Sequence, residues 1–146
     1  MQPTVRPARP EDGSRIRELL AQLGYAADPS HVEQRLETME KSGTDTVLVA
    51  ETGGAVIGVA SLHSFDLFHQ PGRIGRITSF VVDASVRGEG AGKLLLAAAD
   101  EFFRSVGCIR SEVTSGDHRP AAHAFYEANG YVPDERRFLK RYDRAT

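Results

Sequence analysis

The chain has 146 residues, of which 40% are hydrophobic and 26% charged, a balance typical of a folded globular domain and not of a disordered chain. Its net charge of −2 gives no overall positive field, which argues against binding to nucleic acid or to an anionic membrane surface. The single cysteine, Cys108, excludes an internal disulfide and a metal site built from several cysteines. There is no basic-then-apolar leader and no apolar run of about 18 residues. We therefore expect one domain over residues 1–146, located in the cytoplasm.

The first half of the chain predicts a strand, two helices and a hairpin. The strand covers residues 4–8, and the acidic and hydroxyl residues that follow it are typical of a helix start. That helix has apolar residues at the spacing of one buried face, namely Ile16, Leu19, Leu20 and Leu23. A second helix is predicted over residues 30–41. Two runs rich in valine, isoleucine and leucine, 46–51 and 55–62, flank a Gly-rich turn and predict a β-hairpin.

The second half alternates strands with helices after an irregular stretch over residues 64–72. The predicted elements are a strand over 73–82, an amphipathic helix over 90–106, a strand over 109–114, a helix from Pro120 to Asn129-Gly130, and a last strand over 138–142. The order β-α-α-β-β-β-α-β-α-β favours an α/β (α+β) fold with a mixed sheet and helices on both faces. Residues 73–114 should form a right-handed parallel crossover.

Three glycines stand within five residues between the third long strand and the long helix, in the run Arg87-Gly88-Glu89-Gly90-Ala91-Gly92-Lys93. Glycine allows positive φ angles and close approach to a ligand, and a helix N-terminus attracts anions. Flanked by two cationic side chains, this turn predicts a phosphate or pyrophosphate site. Lys93 is followed by leucine, which excludes a P-loop, and the glycine spacing departs from the dinucleotide-binding fingerprint. The alternative is a tight turn that needs glycine for geometry alone.

Two motifs together resemble the GNAT family of N-acetyltransferases. Arg87-x-x-Gly90-x-Gly92 is similar to the family's Arg/Gln-x-x-Gly-x-Gly/Ala element, and Ala122-x-x-Phe125-Tyr126-x-x-x-Gly130-Tyr131 is similar to its second signature. The resemblance implies a mostly antiparallel central sheet and transfer of acetyl from acetyl-CoA directly to a small-molecule amine. A further likeness, to aminoalkylphosphonate N-acetyltransferases, is carried by stretches within residues 62–75 and 122–126 and by Arg137-Phe138.

The resemblance implies roles for the turn, the strand before it and the last helix. Backbone amides of the turn would hold the pyrophosphate, and the strand would pair its backbone with the pantetheine arm. A backbone N–H near Val81 or Val82 would stabilise the oxyanion. Tyr126 would protonate the departing thiolate, the alternative being a core aromatic. Arg119 would reach a cofactor phosphate or would simply be exposed. The predicted cofactor contacts are Phe80, Val81, Val82, Arg87, Gly88, Glu89, Gly90, Ala91, Gly92, Lys93, Arg119 and Tyr126.

The base that deprotonates the amine is not given by the resemblance, because residues 75–80 lack the carboxylate that family members often have there. An aliphatic amine is mostly protonated at neutral pH, so one proton must be removed before attack. We predict Glu112, on the next strand, as this base. The alternatives are a water chain from Ser79, or Asp117 or His118 in the loop before the last helix. Cys108 is predicted to be a small buried residue, so an acetyl-cysteine intermediate is not expected.

His63, Asp66 and His69 offer three ligands for a divalent metal that would hold an anionic acceptor. Regular ligand spacing is missing, so no metal site is predicted. The preferred interpretation is that these three side chains form hydrogen bonds. Arg73 and Arg76 are candidates to meet a phosphonate or carboxylate of the acceptor, the alternative being solvated charges.

Two other functions compete with a small-molecule N-acetyltransferase. One is a sensor or scaffold that binds acetyl-CoA without turnover, and the other is an enzyme that acetylates a protein amine. A homodimer through the C-terminal strand is also an expectation.

Overall fold

The computed structural model describes residues 2–114, 120–134 and 136–143, which fall into two compact units, Met1–Thr114 and Ser115–Thr146. The strands are β1 (Thr4–Pro7), β2 (Thr46–Thr52), β3 (Ala55–Asp66), β4 (Arg73–Val82) and β5 (Cys108–Val113). The α-helices are α1 (Gly13–Ala21), α2 (Pro29–Glu40), α3 (Ala91–Ser105) and, in the second unit, α4 (Pro120–Ala128). The assignment of residues 1–146 to a single domain stays a prediction.

The strands of the first unit form one mixed sheet in the order β1-β2-β3-β4-β5. Neighbouring strands are antiparallel from β1 to β4, and β4 pairs with β5 in parallel. Parallel neighbours require a crossover connection, which here is α3. The mixed, mostly antiparallel sheet predicted from the sequence is therefore confirmed, whereas the hand of the crossover stays a prediction.

Helices cover both faces of the sheet because its central strands are apolar on both sides. Val59 and Val81 belong to a buried cluster with Ile16 and other residues of α1 and α2. Side chains alternate between faces along a strand, and a Cβ placed on Gly58, next to Val59, would meet Leu95 of α3. Thus α1 and α2 lie on one face and α3 on the other, as predicted.

Gly75 is the point of closest approach between β4 and α3. A Cβ on Gly75 would lie 2.6 Å from Cε1 and 2.8 Å from Cγ of Phe103, a ring that is only 3% exposed. Because overpacking a rigid core typically costs about 1–3 kcal/mol, we expect Gly75→Ala to lower the free energy of unfolding by about that amount in urea denaturation. Gly43→Ala is the control, since a Cβ there would meet nothing within 4 Å. Equal stability of the two variants would contradict this packing account.

Two element predictions were wrong in part. Residues 138–142 form no strand: Phe138 and Tyr142 are 99% and 91% exposed, and a strand forms only where a partner supplies its hydrogen bonds. The irregular stretch was wrong for residues 64–66, which extend β3 by pairing with Arg73 to Gly75 of β4. The hairpin between β3 and β4 is therefore longer, and His63 lies within a strand rather than a loop.

Candidate active site

The turn between β4 and α3 has the backbone that its glycines predict. Gly88 has φ +88° and Gly90 has φ +92°, a region that other residues occupy only with strain. Gly90 is the N-cap of α3. A Cβ at either glycine would meet nothing within 4 Å, so glycine is required here by the backbone conformation and not by protein packing. The space above the turn is open, as a cradle for a ligand must be.

The turn presents backbone donors and two cationic side chains. An α-helix leaves its first backbone N–H groups without intrahelical acceptors, and here they belong to the segment starting at Ala91, which is buried at 1% exposure. Arg87 and Lys93 are exposed on either side, and the Arg87 Nε donates a 3.1 Å hydrogen bond to the Val82 carbonyl. These features fit a pyrophosphate, although the exposed Glu89 adds one negative charge nearby.

Asp83 braces the start of this turn against α1. Its carboxylate accepts from the Ser85 N–H at 3.1 Å, from Arg15 at 2.6 Å and from Gln22 at 3.3 Å. The Gln22 side chain in turn accepts from the Ala84 N–H at 2.9 Å. The Ser85 N–H, followed by the Arg15 guanidinium, holds the pKa of the Asp83 carboxyl well below its ordinary range. This brace was not predicted from the sequence, although Asp-x-Ser after a strand is a recognisable turn pattern.

We expect Asp83→Asn to destabilise the protein most at neutral pH and progressively less in acid. A carboxyl whose pKa is lowered by folding contributes its full stability above its unfolded pKa of about 3.9, and this contribution decreases until the pH has fallen through the folded value. The difference in urea midpoint between the variant and the wild type should therefore be clearly smaller at about pH 3 than at neutral pH, although not yet zero. Glu18→Gln, which removes an exposed partner of the same arginine, should cause a smaller loss. A gap that is the same at both pH values would refute the brace.

Strand β4 continues past the end of β5. The ladder between them runs from Arg73–Cys108 to Ile77–Val113, whereas β4 extends through residues 78–82 to the glycine turn. Phe80, Val81 and Val82 lie in this extension and pair on their other side with β3. The extension is the place where an extended ligand arm would add as a strand.

Glu112 of β5 is held by arginines. Arg76 donates to it at 2.7 Å, and Arg110 lies 3.5 Å from its second oxygen. The hydrogen bond from Arg76 is the main reason why the pKa of the Glu112 carboxyl is lowered, and a lowered pKa makes a carboxylate a weaker base. Its role as the base stays a prediction, and the structure brings it together with Arg76, whose guanidinium also lies 5.5 Å from the centre of the Phe65 ring.

Four side chains, from β3, from β4 and from the residue before β2, form a chain of contacts that we call the His63 network. The Nδ1 of His63 lies 3.4 Å from Oδ1 of Asp45, and its Nε2 lies 2.9 Å from Oγ1 of Thr78. That oxygen lies 2.7 Å from Oγ of Ser61. This arrangement is not predicted from the sequence, because its members are brought together only by the strand register.

The three ligands considered for a metal are not brought together. His63 belongs to the network above, whereas Asp66 binds Arg73 at 2.8 Å, and His69 is exposed beyond the end of β3. Residues 63 and 66 of a strand face opposite sides of the sheet. In the described part of the chain no group of three or more His, Cys, Asp and Glu side chains is arranged to hold a metal ion.

Tyr126 lies on α4 in the second unit, half-buried among aromatic rings. Its ring centre lies 5.5 Å from that of Phe125 and 5.6 Å from that of Tyr131, both in edge-on contact. Arg119, Asp117 and His118 lie outside the described residues. Cys108 lies at the end of β4 and β5 opposite to the glycine turn, and burial raises the pKa of its thiol, which disfavours the reactive thiolate.

Comparison with known proteins identifies the family and the fold of the chain. The profile of the Acetyltransferase (GNAT) family matches residues 14–131. The chain belongs to the GNAT family. It is 37% identical over 92 residues to the aminoalkylphosphonate N-acetyltransferase of Salmonella typhimurium, a match that covers 63% of this chain and 60% of that protein. It is 35% identical over 123 residues to the glucosamine 6-phosphate N-acetyltransferase of Trypanosoma brucei brucei, covering 82% of both chains.

A solved structure shows the same fold in a protein that binds CoA. An aminoglycoside N-acetyltransferase in complex with CoA superposes with a TM-score of 0.84 at 19% identity, covering 99% of this chain and 96% of that one. GNAT enzymes use acetyl-CoA as co-substrate, and membership of the family together with the named relatives supports an acetyl-CoA-dependent N-acetyltransferase. No helix in residues 2–114, 120–134 or 136–143 is long and apolar enough to cross a membrane.

Proposed function

We propose that this GNAT protein transfers the acetyl group of acetyl-CoA directly to the primary amine of a small molecule that also has a phosphonate or phosphate group. The observation that carries the proposed use of acetyl-CoA is the turn at Gly88 and Gly90, whose positive φ angles and open space fit a pyrophosphate, and membership of the GNAT family supports the transfer. The acceptor class is supported by the names of two relatives, which act on aminoalkylphosphonates and on glucosamine 6-phosphate.

The co-substrate would lie along β4 and the turn. The amides of residues 88–93 would hold its pyrophosphate with Arg87 and Lys93 alongside, and Arg119 would add a further contact. The backbone of Phe80 to Val82 would align the pantetheine arm, with one of its N–H groups donating to the oxyanion. Tyr126 would supply the proton that the departing thiolate requires.

Arg76 would meet the anionic group of the acceptor. Its side chain is 49% exposed and already binds one carboxylate, that of Glu112, so a bidentate contact to a phosphonate requires only a change of partner. Arg73, by contrast, is 19% exposed and committed to Asp66 and Ser64, which leaves it a structural role. A divalent metal is not part of this proposal. A homodimer and a cytoplasmic location stay predictions.

The acceptor class is tested by following thiol release from acetyl-CoA over a panel of amines. The panel contains 2-aminoethylphosphonate, glucosamine 6-phosphate, kanamycin, glucosamine and a lysine peptide. We expect the two phosphorus-containing amines to have kcat/KM values at least about tenfold above that of glucosamine, since one charge-assisted contact is worth roughly 1.5–3 kcal/mol. Arg76→Gln should remove this preference by raising KM for the anionic amines. Preference for the peptide would instead favour a protein acetyltransferase, and silence would favour a sensor.

A further inference from the structure

One arrangement of protons makes the His63 network able to take up a further proton. Because an ionised carboxylate only accepts, Asp45 at 3.4 Å favours a ring proton on Nδ1, and Nε2 is then left as an acceptor. Thr78 then donates to Nε2 over 2.9 Å, and because a hydroxyl has one proton, Ser61 must be the donor in its 2.7 Å contact with Thr78. The lone pairs of the Ser61 oxygen are thus the accepting end of the network.

Asp45 is fixed in its place by other groups. The Ser42 hydroxyl donates to its Oδ2 at 3.3 Å, and the backbone N–H of Ser64 donates to its Oδ1 at 3.3 Å. The side chains of His63 and Asp45 keep 39% and 30% of their surface exposed. The pair is therefore oriented as in an acid–base site, yet it is open to a small molecule from solvent.

The accepting end of the network lies where β4 leaves β5. In the β3–β4 register, Ser61 pairs with Ser79 and Leu62 with Ile77, so that Thr78 is an extra residue in a β-bulge. Ile77 is also the last residue of β4 that pairs with β5. Bulges occur next to active sites because they re-aim a side chain. The bulge thereby places Thr78 at the beginning of residues 78–82, the part of β4 along which the pantetheine arm would lie.

The charged groups that face His63 come from β4 and from the residue before β2. Arg76 is its cross-strand partner on β4, and the charge of that arginine is balanced by Glu112 at 2.7 Å. Just before β2, the facing charge is Asp45. When the acceptor's anionic group occupies Arg76, Glu112 keeps its contact with Arg110 at 3.5 Å, whereas His63 faces the carboxylate of Asp45.

We propose that His63 is the proton acceptor of the acetyl transfer, reached through Thr78 and Ser61, and that Asp45 is the residue that positions it. The inference rests on the proposed function. The acceptor's ammonium gives one proton to the Ser61 oxygen, while the Ser61 proton passes to Thr78 and the Thr78 proton to Nε2, which forms an imidazolium opposite Asp45. The neutral amine attacks the thioester carbonyl, the C–N bond forms and the C–S bond breaks. Tyr126 gives its proton to the sulfur, the second amine proton replaces it on Tyr126, and His63 returns its proton to solvent.

Chemical rescue tests this assignment. His63→Ala should lower kcat/KM for 2-aminoethylphosphonate or glucosamine 6-phosphate by about 10²–10⁴-fold, the usual contribution of acid–base catalysis, with KM for acetyl-CoA unchanged. Added imidazole should restore about a tenth of the lost kcat/KM, because the position vacated by the His63 ring is open to solvent. His69→Ala is the matched control and should behave like the wild type. Asp45→Asn should cost about tenfold, with ¹⁵N NMR showing that His63 no longer holds its proton on Nδ1.

Each competing explanation of the proton transfer predicts a different experimental result. Wild-type rates in His63→Ala would overturn the proposal, as would a loss that imidazole does not rescue. A large loss in Glu112→Gln with His63→Ala unaffected would assign the base to Glu112 instead. If the wild type binds acetyl-CoA but acetylates no amine of the panel, the proposed function itself fails, and the role of His63 fails with it. Detection by NMR of a proton on Nε2 of His63 in the wild type would contradict the proposed proton arrangement without any activity measurement.

Discussion

Gly90→Ala is expected to weaken acetyl-CoA binding by about ten- to a hundredfold while leaving the protein folded. The φ of +92° at this position is strained for alanine by roughly 1–2 kcal/mol, so the turn would relax and re-aim the N–H groups at the start of α3. Each charge-assisted hydrogen bond lost to the pyrophosphate is worth roughly 1.5–3 kcal/mol. Titration calorimetry with acetyl-CoA and thermal melting would separate the loss of binding from the loss of stability.

Gly54→Ala is the control for backbone strain. Gly54 has φ +83° in the turn between β2 and β3, and a Cβ there also meets nothing within 4 Å. Both variants should melt at similarly lowered temperatures, but only Gly90→Ala should lose affinity. If both bind acetyl-CoA as the wild type does, the turn between β4 and α3 is a structural turn and the pyrophosphate is held elsewhere.

Tyr126→Phe is expected to lower kcat by about 10²–10³-fold with little change in acetyl-CoA affinity, because loss of a general acid affects the transition state and not the ground state. The substitution keeps the edge-on contacts of the ring with Phe125 and Tyr131, so folding should be preserved. Stopped-flow or steady-state thiol release gives kcat, and calorimetry gives the affinity.

Tyr131→Phe removes the corresponding hydroxyl from the neighbouring ring. It should leave kcat within about twofold of the wild type, as expected for a residue outside the proton transfer. Equal losses in the two variants would indicate that the aromatic group acts through packing. An unchanged kcat in Tyr126→Phe would show that the thiolate takes its proton from another source.

The fold could be predicted from local patterns wherever the local pattern decides the structure. The hairpin of β2 and β3, the glycine turn and the amphipathic α3 each depend on residues that are close in the chain. Within α3, Phe103 lies in the core, whereas its neighbour Phe102 is only partly buried. That choice depends on the missing Cβ of Gly75 across the interface, which periodicity alone does not reveal.

The candidate site was predictable only in its cofactor half. The turn residues 87–93 are contiguous and resemble a family motif, whereas His63 and Thr78 are 15 residues apart and meet because a bulge shifts the β3–β4 register. A one-residue shift in register would turn those side chains to opposite faces. His63 was considered as a metal ligand together with Asp66 because the two residues are close in the sequence. Strand alternation nevertheless places their side chains on opposite faces of the sheet.

Transfer of an acetyl group from acetyl-CoA to an amine is the activity proposed for this protein. It is tested most directly by mass spectrometry of 2-aminoethylphosphonate, glucosamine 6-phosphate and kanamycin after incubation with the protein and acetyl-CoA labelled with ¹³C in the acetyl group. We expect at least one of these amines to gain a labelled acetyl group in the presence of the wild type and only slowly with Tyr126→Phe. Tight binding of acetyl-CoA without labelled product from any of them would contradict it.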